Sequence, residues 1–469
     1  MFYRWYIIVV CLLILQSFSV GWAEAGADKF NLVSEGKIAA TIVIRSDASE
    51  AERFAAGELQ KYVEKMSSVQ LPLQTDAETL QGNLIFVGSQ QRDFLKKNNI
   101  EMADSLGEED FVIRTVNNKL LLIGGGDWGT AYAVLTFLEH LGCRWFMPGP
   151  LGEVIPKQKT IAVHDVNIVE RPSFKYRRLF YFGGGEAEVK WQLQTKSNNF
   201  ISAHGLKGYE GFGGHAYESL VPPQEYFEKH PEYFALWHGK RVTNQICLSN
   251  AEVVRIVVNK ANNYFDEHPE DKALSFSLSP NDYSQFCECE GCQRLGPTVS
   301  DRVMAFTNTV AKDVRQRHPD KLLNVYAYDG YIDLPKTIEK MEDNVAIIIC
   351  RITQDGVYSF PIASDDQYSK RIRKIIEGWV GKARHILFYD YYAHYDWFAP
   401  WPLEKSIVVD LRYYHSLGPM VEGLVPEMHP HWGTQGLTSY VMAKFSWNVN
   451  LDIDSLVGDY YAKLYGGAA

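Results

Sequence analysis

Apolar positions along the chain follow two rhythms, and they change near residue 170. In the first stretch, KIAATIVIRS (37–46), NLIFVGS (83–89), DFVIRTV (110–116) and KLLLIGG (119–125) are short, β-branched or alternating runs, the pattern of strands. Between them, AERFAAGELQKYVEKMSS (51–68) repeats its apolar residues at helical spacing, with Phe54, Leu59, Tyr62, Val63 and Met66 near one face. TAYAVLTFLEHLG (130–142) predicts a second helix ending at Gly142. Asn117-Asn118 joins two of the strands as a hairpin turn. The expectation for residues 26–170 is an N-terminal α/β sandwich.

From 171 to 469, eight short strands recur: 177–183, 198–205, 232–237, 273–279, 322–328, 344–350, 385–392 and 419–427. Helical stretches at 251–267, 300–318, 368–380 and 403–418 fall between several of them. Strands interleaved with helices over this length predict a (β/α)8 TIM-like barrel, closed outside by a helical segment after residue 437. The chain ends at GGAA without a finished helix, which predicts a truncated C-terminus.

Residues 1–25 carry Arg4, an apolar run at 7–15 and an Ala23-x-Ala25 cleavage pattern. This is the signature of a secretory signal peptide, shorter than the ~20 apolar residues of a membrane span. The expected mature protein is secreted or periplasmic, with no membrane span. Net charge is −10 without a basic stripe, which argues against nucleic acid as a partner. The 11 Trp, 27 Tyr and 24 Phe suit a protein that stacks flat ligands such as sugar rings. GGGDWGT (124–130) fits neither the P-loop nor the dinucleotide spacing, so a tight strand-to-helix turn is expected there.

Barrel enzymes place their chemistry at strand C-termini. At those positions the sequence has His204, Asn281, Asp282, Tyr328, Arg351, Asp390, Tyr391, Tyr392, Glu422 and Glu427, followed by His429, His431 and Trp432; a loop adds His215. Carboxylates gathered at one mouth with aromatic rings are what glycoside hydrolysis needs: one acid to protonate the leaving oxygen, one carboxylate to activate water or attack the anomeric carbon. Asp282, Glu427 and Asp390 are the catalytic candidates. His204, His215, Asn281, Tyr328, Arg351, Tyr392 and Trp432 are the substrate-binding candidates, with Arg351 suited to a uronic acid carboxylate. Glu422 reads as a residue that points into the barrel or pairs with an arginine. No cofactor is required for this chemistry. FCECEGC (286–292) sets Cys287, Cys289 and Cys292 close together. They could hold a structural zinc with a fourth ligand such as Cys247, or form disulfides after export.

The segments AERFAAGELQKYVEKMSSVQLPL, GTAYAVLTFLEHLGCRWFMPG, HPEYFALWHGKR, CLSN, SPNDYSQFCECEGC and AKFSWNVNLDIDSLVGDYYAKLYG resemble the DUF4838 family of exported bacterial proteins. The first domain also resembles the N-terminal domain of family 67 α-glucuronidases and family 20 β-hexosaminidases, and the barrel looks like a distant relative of the α-glucuronidase barrel. The resemblance implies a general acid after strand four, at Asp282, and base carboxylates on late strands, at Asp390 and Glu427. The chain departs from the hexosaminidase Asp-Glu pair, having Asn281-Asp282, and adds the cysteine loop. Together these imply a glycoside hydrolase acting on a terminal sugar or uronic acid of a poly- or oligosaccharide. The rivals are a non-catalytic carbohydrate-binding protein that keeps Trp401, Trp432 and the tyrosines, and a metal-dependent hydrolase built on His429 and His431.

Overall fold

The structure is a computed structural model that describes residues 29–75, 79–89, 106–181, 185–198, 202–209, 213–269, 275–352, 361–392 and 399–468. The expected signal segment lies outside them. No helix among the described residues is long and apolar enough to cross a membrane.

The first stretch forms a six-stranded mixed sheet. Its order is Asn167–Glu170, Phe111–Val116, Lys119–Gly124, Asn83–Val87, Ala40–Val43 and Leu73–Gln74. Alternation sorts the side chains. Ile42, Ile85, Leu120 and Leu122 join the main core beneath helices Glu50–Ser67 and Asp127–His140. Val43, Leu84, Phe86, Leu121 and Ile123 form a small apolar cluster on the opposite face. The first stretch is thus mixed α/β, a sheet carrying two helices. Ser49 starts the first helix through a reciprocal cap with Glu52, each accepting the other's backbone N–H at 3.1 Å. Asn117, at φ 52°, makes the expected hairpin turn.

The glycine-rich turn closes on itself. A Cβ on Gly125 would sit 1.8 Å from the Gly107 carbonyl oxygen. The N-terminus of the following helix is occupied by Glu108, whose carboxylate accepts from Asp127 N–H at 3.2 Å and whose carbonyl accepts from Gly129 N–H at 3.0 Å. The turn is structural, and an internal carboxylate takes the place an anion would fill.

The second stretch builds a curled half-barrel of six parallel strands, in the order Tyr176–Arg177, Val421–Leu424, His385–Tyr389, Val345–Cys350, Leu322–Ala327 and Ser275–Ser277. Six of the eight expected barrel strands lie in this sheet among the described residues. The 198–205 segment instead gives a hairpin, Ser202–Ala203 against Leu206–Lys207. The 232–237 segment gives another, Phe234–Trp237 against Lys240–Ile246. Each turns on a His-Gly pair at positive φ, His204-Gly205 at 56° and 77° and His238-Gly239 at 48° and 75°. Two successive left-handed residues make the tight turn that joins antiparallel strands; residues 199–201 of the first segment lie outside the described residues. At the other edge, Gly423 lets the outer strand approach: a Cβ there would lie 2.4 Å from the Tyr176 Cβ.

One apolar core runs through both stretches. Arg177 is fully buried and donates to Glu109 at 2.8 Å and to the Phe174 and Lys196 carbonyls at 2.7 and 2.8 Å, below the Trp447 ring. Glu139 pairs with Lys444 at 2.7 Å and Lys196 at 3.3 Å, and Trp447 donates to Glu170 at 2.6 Å. The residues on either side of 170 therefore share buried polar contacts as well as a core.

Candidate functional site at the half-barrel mouth

Register decides which strand-end residues face the lumen. In parallel strands, paired residues point the same way and neighbours along a strand alternate. Asn324 pairs with Ala346, Tyr326 with Ile348, and Cys350 with Tyr389. The inner face therefore carries Asn324, Tyr326 and Tyr328, then Cys350, then Tyr389 and Tyr391. The rings meet edge-on or tilted: Tyr326–Tyr389 at 5.8 Å, Tyr389–Tyr391 at 5.2 Å and Tyr326–Tyr328 at 6.4 Å.

Glu427 stands among them. Its backbone bridges Tyr391 in parallel and its N–H donates to the Asp390 carbonyl at 2.7 Å. Its half-buried carboxylate accepts from the Tyr389 hydroxyl at 3.0 Å. Burial pushes the Tyr389 hydroxyl far up, and the Glu427 charge adds to it, so the phenol stays protonated and donates. Arg178 emerges beside the same rings; burial pulls its guanidinium down to about 10 against the Tyr326 and Tyr389 hydroxyls. Tyr326, Tyr389 and Arg178 were not picked out by strand-end position, and Tyr391 was noted there without a role. Counting in twos from Tyr328 would have found Tyr326.

The mouth is narrowed by the loop around Gly213-Gly214. Gly213 N–H donates to the Asn324 side-chain oxygen at 3.0 Å and Gly214 N–H to the Tyr326 hydroxyl at 2.5 Å. Both glycines have positive φ, 85° and 98°. A Cβ on Gly213 would come 2.8 Å from the Tyr326 hydroxyl, so the close approach requires glycine. The loop delivers His215, exposed, with Nδ1 2.5 Å from the Pro280 carbonyl and its ring 5.5 Å from Tyr326 and 6.0 Å from Tyr328. Asp282 is exposed beside Tyr328, whose hydroxyl is pushed up by burial and then by the charge and hydrogen bonding of Asp282. Asp282, Tyr328 and His215 thus lie together, and the Tyr326 and Tyr389 rings lead from them to Glu427.

Asp390 and Arg351 do not join them. Each is one residue from a lumen-facing neighbour, Tyr389 and Cys350, so each points to the helix side of the sheet. There Asp390 is 1% exposed and accepts from Arg351 at 2.9 Å, Tyr414 at 2.8 Å and Tyr392 at 3.1 Å. Arg351 also reaches Asp410 at 2.5 Å, and Tyr392 donates to the same carboxylate at 3.1 Å. Phe388 stacks on Tyr414 at 3.6 Å on that side. Burial pushes the Asp390 carboxyl up against the opposing pull of Arg351. This corrects three expectations: Asp390, Arg351 and Tyr392 form an enclosed ionic network under helix Glu404–Ser416, away from the mouth.

Three further expectations move. His204 lies flat on Phe54 of the first helix, 4.0 Å between centroids and 4° between planes, in a hairpin remote from the sheet edge. Asn281 is a strut: its side chain accepts from Glu218 N–H at 3.0 Å and donates to the Asn244 carbonyl at 2.8 Å. Trp432 packs edge-on against buried Trp191 at 4.8 Å. Glu422 is paired, as expected, but with a histidine, accepting His385 Nδ1 at 3.0 Å. His429 and His431 stack ring on ring at 4.2 Å.

The cysteine loop has its fourth member. Cys247 follows strand Lys240–Ile246, and the Sγ atoms of Cys247, Cys287, Cys289 and Cys292 all lie within 4.8 Å of one another. All four are free thiols.

Two solved structures share this arrangement of the backbone. BtGH115A, a family 115 4-O-methyl-α-glucuronidase with specificity for decorated arabinogalactans, matches with a TM-score of 0.59 at 12% identity over 93% of this chain. The match spans 60% of that protein's length. CpGH84B, of glycoside hydrolase family 84, matches with a TM-score of 0.50 at 14% identity, covering 93% of this chain and 72% of its own. At such identities the likeness is one of fold. No curated protein matches in sequence. The profile of a domain of unknown function, DUF4838, matches residues 147–469, and by that match the chain belongs to the DUF4838 family.

Proposed function

We propose that this protein is an exported glycoside hydrolase acting on a terminal sugar or uronic acid of a poly- or oligosaccharide. The observation that carries the reading is Glu427, a half-buried carboxylate in a tyrosine-lined mouth, held by the Tyr389 hydroxyl at 3.0 Å. In this reading Glu427 is the base or nucleophile. Asp282, exposed beside Tyr328, is the acid that protonates the leaving oxygen. Tyr326, Tyr328 and Tyr391 offer faces and hydroxyls to a sugar ring. Arg178 takes the part expected of Arg351, a cation at the mouth that would meet a uronic acid carboxylate. Export rests on the sequence of residues 1–25.

The test is a hydrolysis screen of the mature chain on aryl glycosides and uronic-acid-capped oligosaccharides. Glu427→Gln and Asp282→Asn are run alongside. Turnover by the parent that both variants lose by ~10²–10⁴-fold supports the carboxylate pair. A non-catalytic carbohydrate-binding protein is the second reading. It is favoured by the enclosure of Asp390, which leaves fewer carboxylates at the mouth than the sequence predicts. Glycan binding that survives both substitutions, with no turnover in the parent, would establish it in place of the first.

A further inference from the structure

We propose that Cys247, Cys287, Cys289 and Cys292 form a closed tetrathiolate site for a structural zinc ion. The four sulfurs come from two segments some forty residues apart. Cys247 ends the 234–246 hairpin; Cys287 and Cys289 lie in the loop after Asp282; Cys292 lies in the short helix Glu290–Leu295. Cys247 Sγ is 3.7 Å from Cys289 Sγ and 3.8 Å from Cys292 Sγ. A tetrahedron of sulfurs at the ordinary Zn–S length of ~2.3 Å has edges of ~3.8 Å. Disulfide sulfurs stand ~2.05 Å apart, so this spacing matches ligands around a shared ion and leaves no pair bonded.

The donors around the sulfurs point the same way. Leu236 N–H is directed at Cys287 Sγ at 3.3 Å and Cys292 N–H at Cys289 Sγ at 3.4 Å. The Ser249 hydroxyl can give its one proton to Cys247 Sγ or Cys289 Sγ, each 3.6 Å away, and its oxygen lies 3.3 Å from Cys292 Sγ, where it accepts. N–H and O–H groups aimed at sulfur stabilise thiolates, the form that binds metal. Four protein sulfurs fill a tetrahedral shell, and Cys247, Cys287 and Cys292 are buried. No position is left for water, which makes the site structural, not catalytic. Its place explains its use. The ion would tie the 234–246 hairpin to the loop after Asp282, a stretch that reaches residue 290 without regular secondary structure. The remaining buried cysteines, Cys143 and Cys350, have no such company among the described residues.

The experiment measures metal by elemental mass spectrometry on the full chain purified without chelator. The expected content is about one zinc per chain. Titration of the native protein with a mercurial thiol reagent is expected to release that zinc in step with the loss of four thiols. Cys247→Ser is expected to lose the zinc, while Cys143→Ser and Cys350→Ser keep it. If Cys247→Ser does not fold, the mercurial titration of the parent still decides. An intact mass showing two disulfides, four free thiols with no metal, or iron in place of zinc would each overturn the proposal. Hydrolysis plays no part in these readouts, so the zinc proposal and the glycosidase reading stand or fall separately.

Discussion

Glu427 and Asp390 are both acids near the ends of adjacent strands, yet the structure assigns them opposite work. A one-residue difference in register turns one toward the lumen and the other toward a helix. Their variants should separate cleanly. On the glycosidase reading Glu427→Gln removes the mouth carboxylate held by the Tyr389 hydroxyl, so kcat/KM should fall ~10³-fold with a smaller change in the urea midpoint than Asp390→Asn gives. Asp390→Asn keeps the Arg351–Asp410 pair but removes a buried ionic acceptor from Arg351, Tyr392 and Tyr414, and should cost about 1.5–3 kcal/mol. If the protein is the proposed hydrolase, the folded Asp390→Asn variant should keep most of its activity. Denaturation curves and steady-state kinetics on the same two proteins check this; the reverse pattern would sink the lumen assignment. Tyr389→Phe tests the neighbouring contact. Its hydroxyl favours the ionised form of Glu427, so its loss should move the acid limb of the pH–rate profile to higher pH. A profile displaced the other way, or unmoved, would mean the 3.0 Å contact does not bear on catalysis.

At the scale of elements, glycines and short turns decide what joins the barrel. Strand Tyr176–Arg177 reaches its place only because Gly423 has no Cβ to meet Tyr176. Gly423→Ala is expected to destabilise the fold by ~1–3 kcal/mol through overpacking, read as a lower denaturation midpoint. It should also lower activity, because Arg178 and Glu427 sit on the two segments that Gly423 brings together. An unchanged midpoint would show that the two strands can part without loss. Helices were legible in the sequence nearly to their ends: the 251–267 periodicity became Ala251–Glu267, and 300–318 became Val299–Arg317. Two barrel strands were misread because a short aromatic run looks alike in a hairpin and in a parallel sheet. The His-Gly pairs that followed them were the overlooked signal.

Across the whole molecule, buried charges bind the two stretches together. Burial alone would raise the Glu139 carboxyl, but the Lys444 and Lys196 ammonium groups overcome it and hold it down at about 2. A carboxyl lowered by folding adds stability above its ordinary value near 4.5, and that stability is lost as pH falls toward 2. Its full weight is about 3 kcal/mol. Acid should therefore loosen the contact between helices Asp127–His140 and Trp432–Trp447 over that window. Glu139→Gln should lower stability at neutral pH and flatten its dependence between pH 4.5 and 2, as measured by urea unfolding at each pH. A variant with the parent's full pH dependence would place the acid sensitivity elsewhere.

What the sequence determined by itself was whatever depends on neighbours along the chain: helix periodicity, capping residues, the Asn117-Asn118 turn and the family motifs. Those are local, because hydrogen bonds within a helix or turn span only a few residues. What only the tertiary structure decided was pairing at a distance. It chose which face Asp390 and Arg351 share, put Tyr389 on Glu427, set His204 against Phe54, and brought Cys247 to three cysteines some forty residues away. Such contacts depend on sheet register and on the packing of the stretches before and after residue 170. No short-range pattern encodes either, since a shift of one residue keeps every local propensity and reverses every side chain.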